Sequence, residues 1–116
     1  MSFSMDYRNR MICLFDCYGE LLTDKQRTLF QYYFDDDLSL AEISEPRGIT
    51  RQAVRDGIKR SEQILLEMEE KLGFAKRLSE MKECFDEIKE ISENISDCEI
   101  ADKLNKSVEK GLSLLY

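Results

Sequence analysis

Apolar positions recur along this chain at the three- and four-residue intervals of amphipathic helices, and no segment alternates as a strand would. Tyr7, Met11, Leu14, Phe15 and Tyr18 form one stripe, which ends at Gly19. Thr23 and Gln26 stand three apart ahead of Leu29, Phe30, Tyr33 and Phe34, the pattern of a capping box opening a second helix. Asp35, Asp36 and Asp37 end that helix as a solvated turn, because three consecutive acids splay around a helix rather than converge on an ion. Ser39 and Glu42 repeat the capping box for a short helix carrying Leu40 and Ile43. Pro46 stops that helix by disfavouring a helical predecessor.

Beyond the Pro46-Arg47-Gly48-Ile49 turn, Thr50 is the natural N-cap of a long helix through Val54, Ile58, Leu65, Met68 and Leu72, closing at Gly73. A further stripe follows at Leu78, Met81, Phe85, Ile88 and Ile95. Ser96 with Glu99 then predicts the start of a last helix bearing Ile100, Leu104, Val108, Leu112 and Leu115. The expected fold is all-α, about six helices, with a helix-turn-helix head over 1–73 and a helical extension over 74–116 for packing or dimerisation. No internal repeat interrupts the order.

The chain has 116 residues, room for one modest core plus an extension. Apolar residues make up 42% and charged residues 35%, a balance that favours folding over disorder. No apolar run approaches the roughly 20 residues that span a bilayer, and the N-terminus has no signal-type apolar region, so a cytoplasmic protein without membrane insertion is expected. Histidine is absent, which removes the imidazole base and the usual nitrogen ligand for zinc. Cys13, Cys17, Cys84 and Cys98 form no Cys-x-x-Cys pair and are expected to be reduced, half-buried helix residues. The glycines sit singly at 19, 48, 57, 73 and 111, so no phosphate-binding loop is present. A non-enzyme is expected, with no cofactor, no metal and no catalytic residue.

Charge then singles out one segment. The chain carries a formal net charge of −7, yet residues 47–60 hold Arg47, Arg51, Arg55, Lys59 and Arg60 against Asp56 alone. A basic island in an acidic chain points to a polyanion held by one small face. The same segment lies in a stretch, Leu38 to Ile58, with the requirements of a helix-turn-helix. It has a small residue at the crossing (Ser44), a glycine four positions on (Gly48), and apolar packing positions at Ile43, Ile49 and Val54. With Val54 and Ile58 inward, Arg51, Gln52, Arg55 and Lys59 face outward. Arg and Gln suit guanine and adenine edges, while Thr50 and Lys59 suit phosphates. Double-stranded DNA is the expected partner, and the candidate contact residues are Arg47, Thr50, Arg51, Gln52, Arg55, Asp56, Lys59 and Arg60. A single head with so little positive charge would bind weakly at physiological salt, so a homodimer is expected. Its C-terminal helices either fold back or exchange between copies.

Three stretches carry a resemblance: Leu22-Thr23-Asp24-Lys25-Gln26-Arg27, Ser39-Leu40-Ala41-Glu42-Ile43, and Ile49-Thr50-Arg51-Gln52-Ala53-Val54. They resemble region 4 of bacterial sigma factors, and more closely the small YlxM family of helix-turn-helix proteins. Tyr32-Tyr33 before an acidic turn, Ile58-Lys59-Arg60 and Glu62 ahead of Leu65 extend the likeness over residues 5–75. The resemblance implies a sigma region 4-like head with additional C-terminal helices. It also implies a regulatory part in protein targeting beside the signal recognition particle GTPase and its receptor, and it brings no catalytic residue. Two alternatives stand beside a DNA reader: an interaction module that contacts the targeting GTPase, its receptor or its RNA, and an accessory factor at RNA polymerase. The sequence departs from the family pattern at Pro46-Arg47, where an acidic and an apolar residue are usual. It departs again at Arg55-Asp56-Gly57, where Gly57 costs the helix about 1 kcal/mol relative to alanine and removes a packing side chain.

Overall fold

The computed structural model describes residues 5–115. Among these residues six α-helices follow one another: α1 Met5–Tyr18, α2 Asp24–Phe34, α3 Leu40–Ser44, α4 Arg51–Leu72, α5 Phe74–Glu93 and α6 Cys98–Leu115. Single 3-10 turns at Gly19–Leu21 and Glu45–Arg47 link α1 to α2 and α3 to α4. No strand occurs among the described residues, and the fold is the all-α one that the spacing predicts. The chain divides into two units, Met1–Gly73 and Phe74–Tyr116, called here the head and the hairpin.

In the head, local chemistry sets the helix starts. The Thr23 hydroxyl accepts from the Gln26 amide at 3.2 Å while the Gln26 side chain accepts from the Thr23 amide at 3.0 Å, so both halves of the capping box are made. Ser39 and Glu42 do the same for α3. The three aspartates form a turn, as their sequence suggests, and Asp37 takes a left-handed φ of 56° there. Arg8 reaches this turn from α1, donating from Nε to the Phe34 carbonyl at 2.9 Å and lying 3.7 Å from the Asp37 carboxylate. A cation thus satisfies the last carbonyl of α2. Asp35, beside it, has its carboxyl pushed above the ordinary range by burial first and by Asp36 and Asp16 second, with Arg8 opposing.

The head core is built on aromatic rings. Phe30 stacks on Phe15 with centroids 4.7 Å apart and packs on Phe34 at 4.5 Å, and Tyr33 meets Phe34 edge-on. Met11, Leu14, Ile43, Val54, Ile58 and Leu65 enclose them from α1, α3 and α4. Two tyrosines fasten α1 to α4: the Tyr7 hydroxyl donates to Glu62 at 2.6 Å and the Tyr18 hydroxyl to Glu69 at 2.7 Å. Burial, and then the Glu62 carboxylate, push the Tyr7 phenol up to about 12. Gly57 proves to be a packing device rather than a missing side chain: a Cβ there would lie 2.9 Å from Leu29 Cδ1, so the glycine lets α2 press close against α4.

The hairpin pairs α5 with α6. Ser92 is buried between them and donates to the Asn105 side chain at 2.7 Å. Gly111 lies against the Phe85 ring, where a Cβ would come within 2.5 Å of it. Two expectations need correction here. The N-cap of α6 is Asp97, not Ser96, because its Oδ1 accepts from both the Glu99 and Ile100 amides, at 3.0 and 3.2 Å. That moves the cap one residue, and Ile95 falls in the turn outside α5. Cysteine burial is also less than expected. Cys13, Cys84 and Cys98 are exposed and only Cys17 is half-buried; all four are free thiols. Burial, with help from Glu69 and Asp16, pushes the Cys17 thiol up and makes it a poor nucleophile.

Candidate nucleic-acid interface

The helix-turn-helix begins with α3, which buries Ile43 and Ser44. Pro46 occupies the first turn of the 3-10 segment, where its missing N–H costs nothing. Gly48 follows with φ 63° and ψ 26°, the left-handed conformation that glycine adopts without strain. The chain therefore reverses within four residues, and the Ile49 amide donates back to the Ser44 carbonyl at 3.4 Å. Ile49 is half-buried rather than fully enclosed. Thr50 then caps α4, its hydroxyl accepting from the Ala53 amide at 3.0 Å.

On α4, Val54, Ile58, Ser61, Glu62 and Leu65 form the inward row. The Ser61 hydroxyl donates to the Gly57 carbonyl at 3.0 Å, so even this polar residue is satisfied inside. Gln52 and Asp56 lie opposite that row, and Arg51, Gln52, Asp56, Lys59 and Arg60 are exposed while Arg55 is half-buried. Arg51, Arg55 and Lys59 stand four apart and share one face. Gln52 donates to Asp56 across one turn at 3.0 Å, and Arg60 reaches Gln63 at 3.4 Å. Asp56 thus steadies Gln52 and lowers the positive charge beside it. Arg55 differs from its neighbours: its Nε is buried and has no hydrogen-bond partner.

Arg47 sits at the turn rather than on α4. Its guanidinium lies 4.1 Å over the Tyr32 ring and donates to the Ile43 carbonyl at 2.7 Å. This ties the turn to α2 and leaves an exposed cation at a fixed place. A shallow groove of about 360 Å³ opens beside it, lined by Asp24, Lys25, Thr28, Leu29, Arg47 and Ile49. Lys25 and Tyr32 thus lie beside Arg47, although neither stands among the contact residues that the sequence names. Arg27, the remaining cation of α2, is engaged with Asp24 and Glu20. No group of three or more metal-ligating side chains comes together among the described residues, and none of their helices is long and apolar enough to cross a membrane.

A turn with left-handed glycine, a buried small residue before it and a threonine-capped helix after it define a helix-turn-helix protein. The comparison with known families agrees. Residues 5–109 match the model of the UPF0122 family, described as "Putative helix-turn-helix protein, YlxM / p13 like", and the chain belongs to that family. The match runs well past residue 75, so it takes in α5 and most of α6 as well as the head. Among curated relatives, the UPF0122 protein YlxM of Bacillus subtilis is 42% identical over 107 residues, covering 92% of this chain and 97% of its own length. A UPF0122 protein of Thermoanaerobacter sp. strain X514 is 46% identical over 100 residues, 86% of each chain. A third, from Caldanaerobacter subterraneus, reaches 51% over 80 residues, 69% of this chain and 68% of its own.

Proposed function

We propose that the chain is a DNA-binding regulator that inserts the N-terminal half of α4 into a major groove. The observation that carries this reading is that Arg51, Gln52 and Lys59 stand exposed on a helix whose Val54 and Ile58 are fully buried. The outward row can turn toward a groove without disturbing the core. Arg51, Gln52 and the terminal nitrogens of Arg55 read base edges, while Thr50, Lys59, Arg60 and Arg47 meet phosphates at either side. Asp56 tunes Gln52 rather than touching DNA. The protein acts in the cytoplasm as a pair of copies, because one head with this charge binds weakly at physiological salt while two span successive half-sites.

Selection of sheared genomic fragments by the purified protein at two salt concentrations tests this. A shared motif retained at the higher salt is the expected result. Arg51→Ala then weakens binding to that motif by about 1–3 kcal/mol and relaxes one base position. No enrichment at either salt, or an Arg51→Ala protein that binds every duplex as the parent does, overturns the proposal. The acidic remainder of the chain favours one other reading in that event. Residues 61–116 carry fourteen acids against eight bases, which suits a basic protein of the targeting machinery that the family resemblance implies. Recovery of the signal recognition particle GTPase on the immobilised chain, lost on charge reversal of α5 and α6, is the matching test.

A further inference from the structure

The hairpin leaves a row of apolar side chains in water. On α5, Met81, Cys84, Ile88 and Ile91 follow a three-four-three spacing, the seam spacing of a coiled coil. All four are exposed, with Met81 at 47% and Ile91 at 63%. Leu78, Phe85 and Ser92 form the adjacent row that meets α6. On α6, Val108 is buried against α5, whereas Ile100 and Leu114 are 51% and 79% exposed.

Helix geometry settles which side these rows occupy. Each residue advances 100° around its axis, and the two helices run antiparallel. Going round α5 from its α6-facing row, the Met81/Cys84/Ile88/Ile91 seam comes next, then Glu80 and Glu87. Going round α6 from its α5-facing row in the mirrored sense, Ile100, Ser107 and Leu114 come next, then Lys103 and Lys110. Both apolar rows therefore lie on one face of the hairpin. That face is bordered by Glu80 and Glu87 along α5 and by Lys110 along α6, where Lys103 is already paired with Glu99 at 3.6 Å.

We infer that this face is covered by the same face of a second copy of the chain, about a two-fold axis parallel to the helices. That axis lays α5 of each copy over α6 of the other and forms a four-helix arrangement. The register within the hairpin, Ser92 opposite Asn105 and Phe85 opposite Gly111, puts Glu87 level with Lys110. Glu87 of one copy then meets Lys110 of the other at both rims. The alternative axis, across the helices, would stack α5 on α5 and oppose Glu80 and Glu87 with their own copies, which like-charge repulsion disfavours. The charges thus select both the occupant and its orientation. This deepens the two-copy part of the proposed function, and its own grounds, the exposed apolar rows and the charges beside them, do not involve DNA.

Sedimentation equilibrium of the full chain without DNA is the test. The expected mass is twice the 13.6 kDa of the chain. Glu87→Lys and Lys110→Glu each weaken association by about tenfold or more, and the double reversal recovers it. Both positions are exposed, so far-UV circular dichroism stays unchanged in all three variants. Ile88→Glu abolishes the dimer, checked by the same spectrum. A single-chain mass at every concentration overturns the inference, as does a dimer indifferent to both reversals. A double reversal no better than either single one overturns the orientation. A dimer that responds as expected but selects no DNA leaves this face standing and removes only the DNA reading.

Discussion

Head and hairpin are assembled from the same kind of amphipathic helix, yet their apolar rows end in different places. In the head, Phe30, Phe34, Met11, Ile43 and Ile58 lie fully out of water, because four helices converge and each covers the others' stripes. In the hairpin, two helices cover only one row apiece, so Val108 is its sole fully buried hydrophobic side chain among the described residues, while Met81, Ile88, Ile91, Ile100 and Leu114 stay exposed. The lesson is geometric. A lone helix pair has one contact line, and a second apolar row on each helix finds no cover within the pair.

The largest expected effect lies in the head. Phe30→Ala removes a ring that touches both Phe15 and Phe34, and should cost about 3–5 kcal/mol in urea unfolding. That is a large share of the roughly 5–15 kcal/mol typical of a small domain. If the loss is under about 1 kcal/mol, the head is no better packed than the hairpin and the contrast fails. Next in size is Gly111→Ala. The new methyl would overlap the Phe85 ring, and overpacking costs about 1–3 kcal/mol against a helix-propensity gain of about 1 kcal/mol. Amide hydrogen exchange should quicken in α5 and α6 and hold steady in α1 to α4. Equal quickening in both units would show that they open together.

The smallest effect is Tyr7→Phe, about 1 kcal/mol at neutral pH from the lost bond to Glu62. Its signature is in alkali. Folding raises the Tyr7 phenol from 10.0 to about 12, so the folded state holds that proton more tightly than the unfolded chain. The contribution is complete below pH 10 and disappears as pH climbs through 12. Unfolding midpoints of parent and variant should therefore converge across that window, and a constant gap would assign the effect to packing alone.

Much of this contrast was legible in the sequence where the responsible chemistry is local. Thr23 with Gln26, Ser39 with Glu42 and Thr50 each lie within three residues of the amide they cap, so their types and spacing mark α2, α3 and α4 directly. Ser96 with Glu99 shows the same spacing, but Asp97, one residue on, accepts two amides and takes the cap. Gly48 and Ser44 made the helix-turn-helix readable for the same local reason. Contacts across the chain left no such trace. Tyr32 beneath Arg47, Leu29 in the space at Gly57 and Glu62 under Tyr7 depend on helix crossings that no short window encodes. Of the candidate contacts, the sequence named the residues on the outward row. The tethering of Arg47 and the partial burial of Arg55 depended on tertiary neighbours.

One consequence follows from α4 running unbroken from Arg51 to Leu72. At about 1.5 Å per residue it is a rod of roughly 33 Å, on which only Arg55 of the candidate contacts is half-buried. Arg51, Gln52 and Lys59 make no contribution to the aromatic core, while Val54, Ile58 and Leu65 are sealed within it. Exposed and core positions are thus written in separate alphabets on one cylinder. Under the DNA reading, a lineage or an engineer can exchange the outer letters for a new operator without touching the residues that keep the scaffold folded.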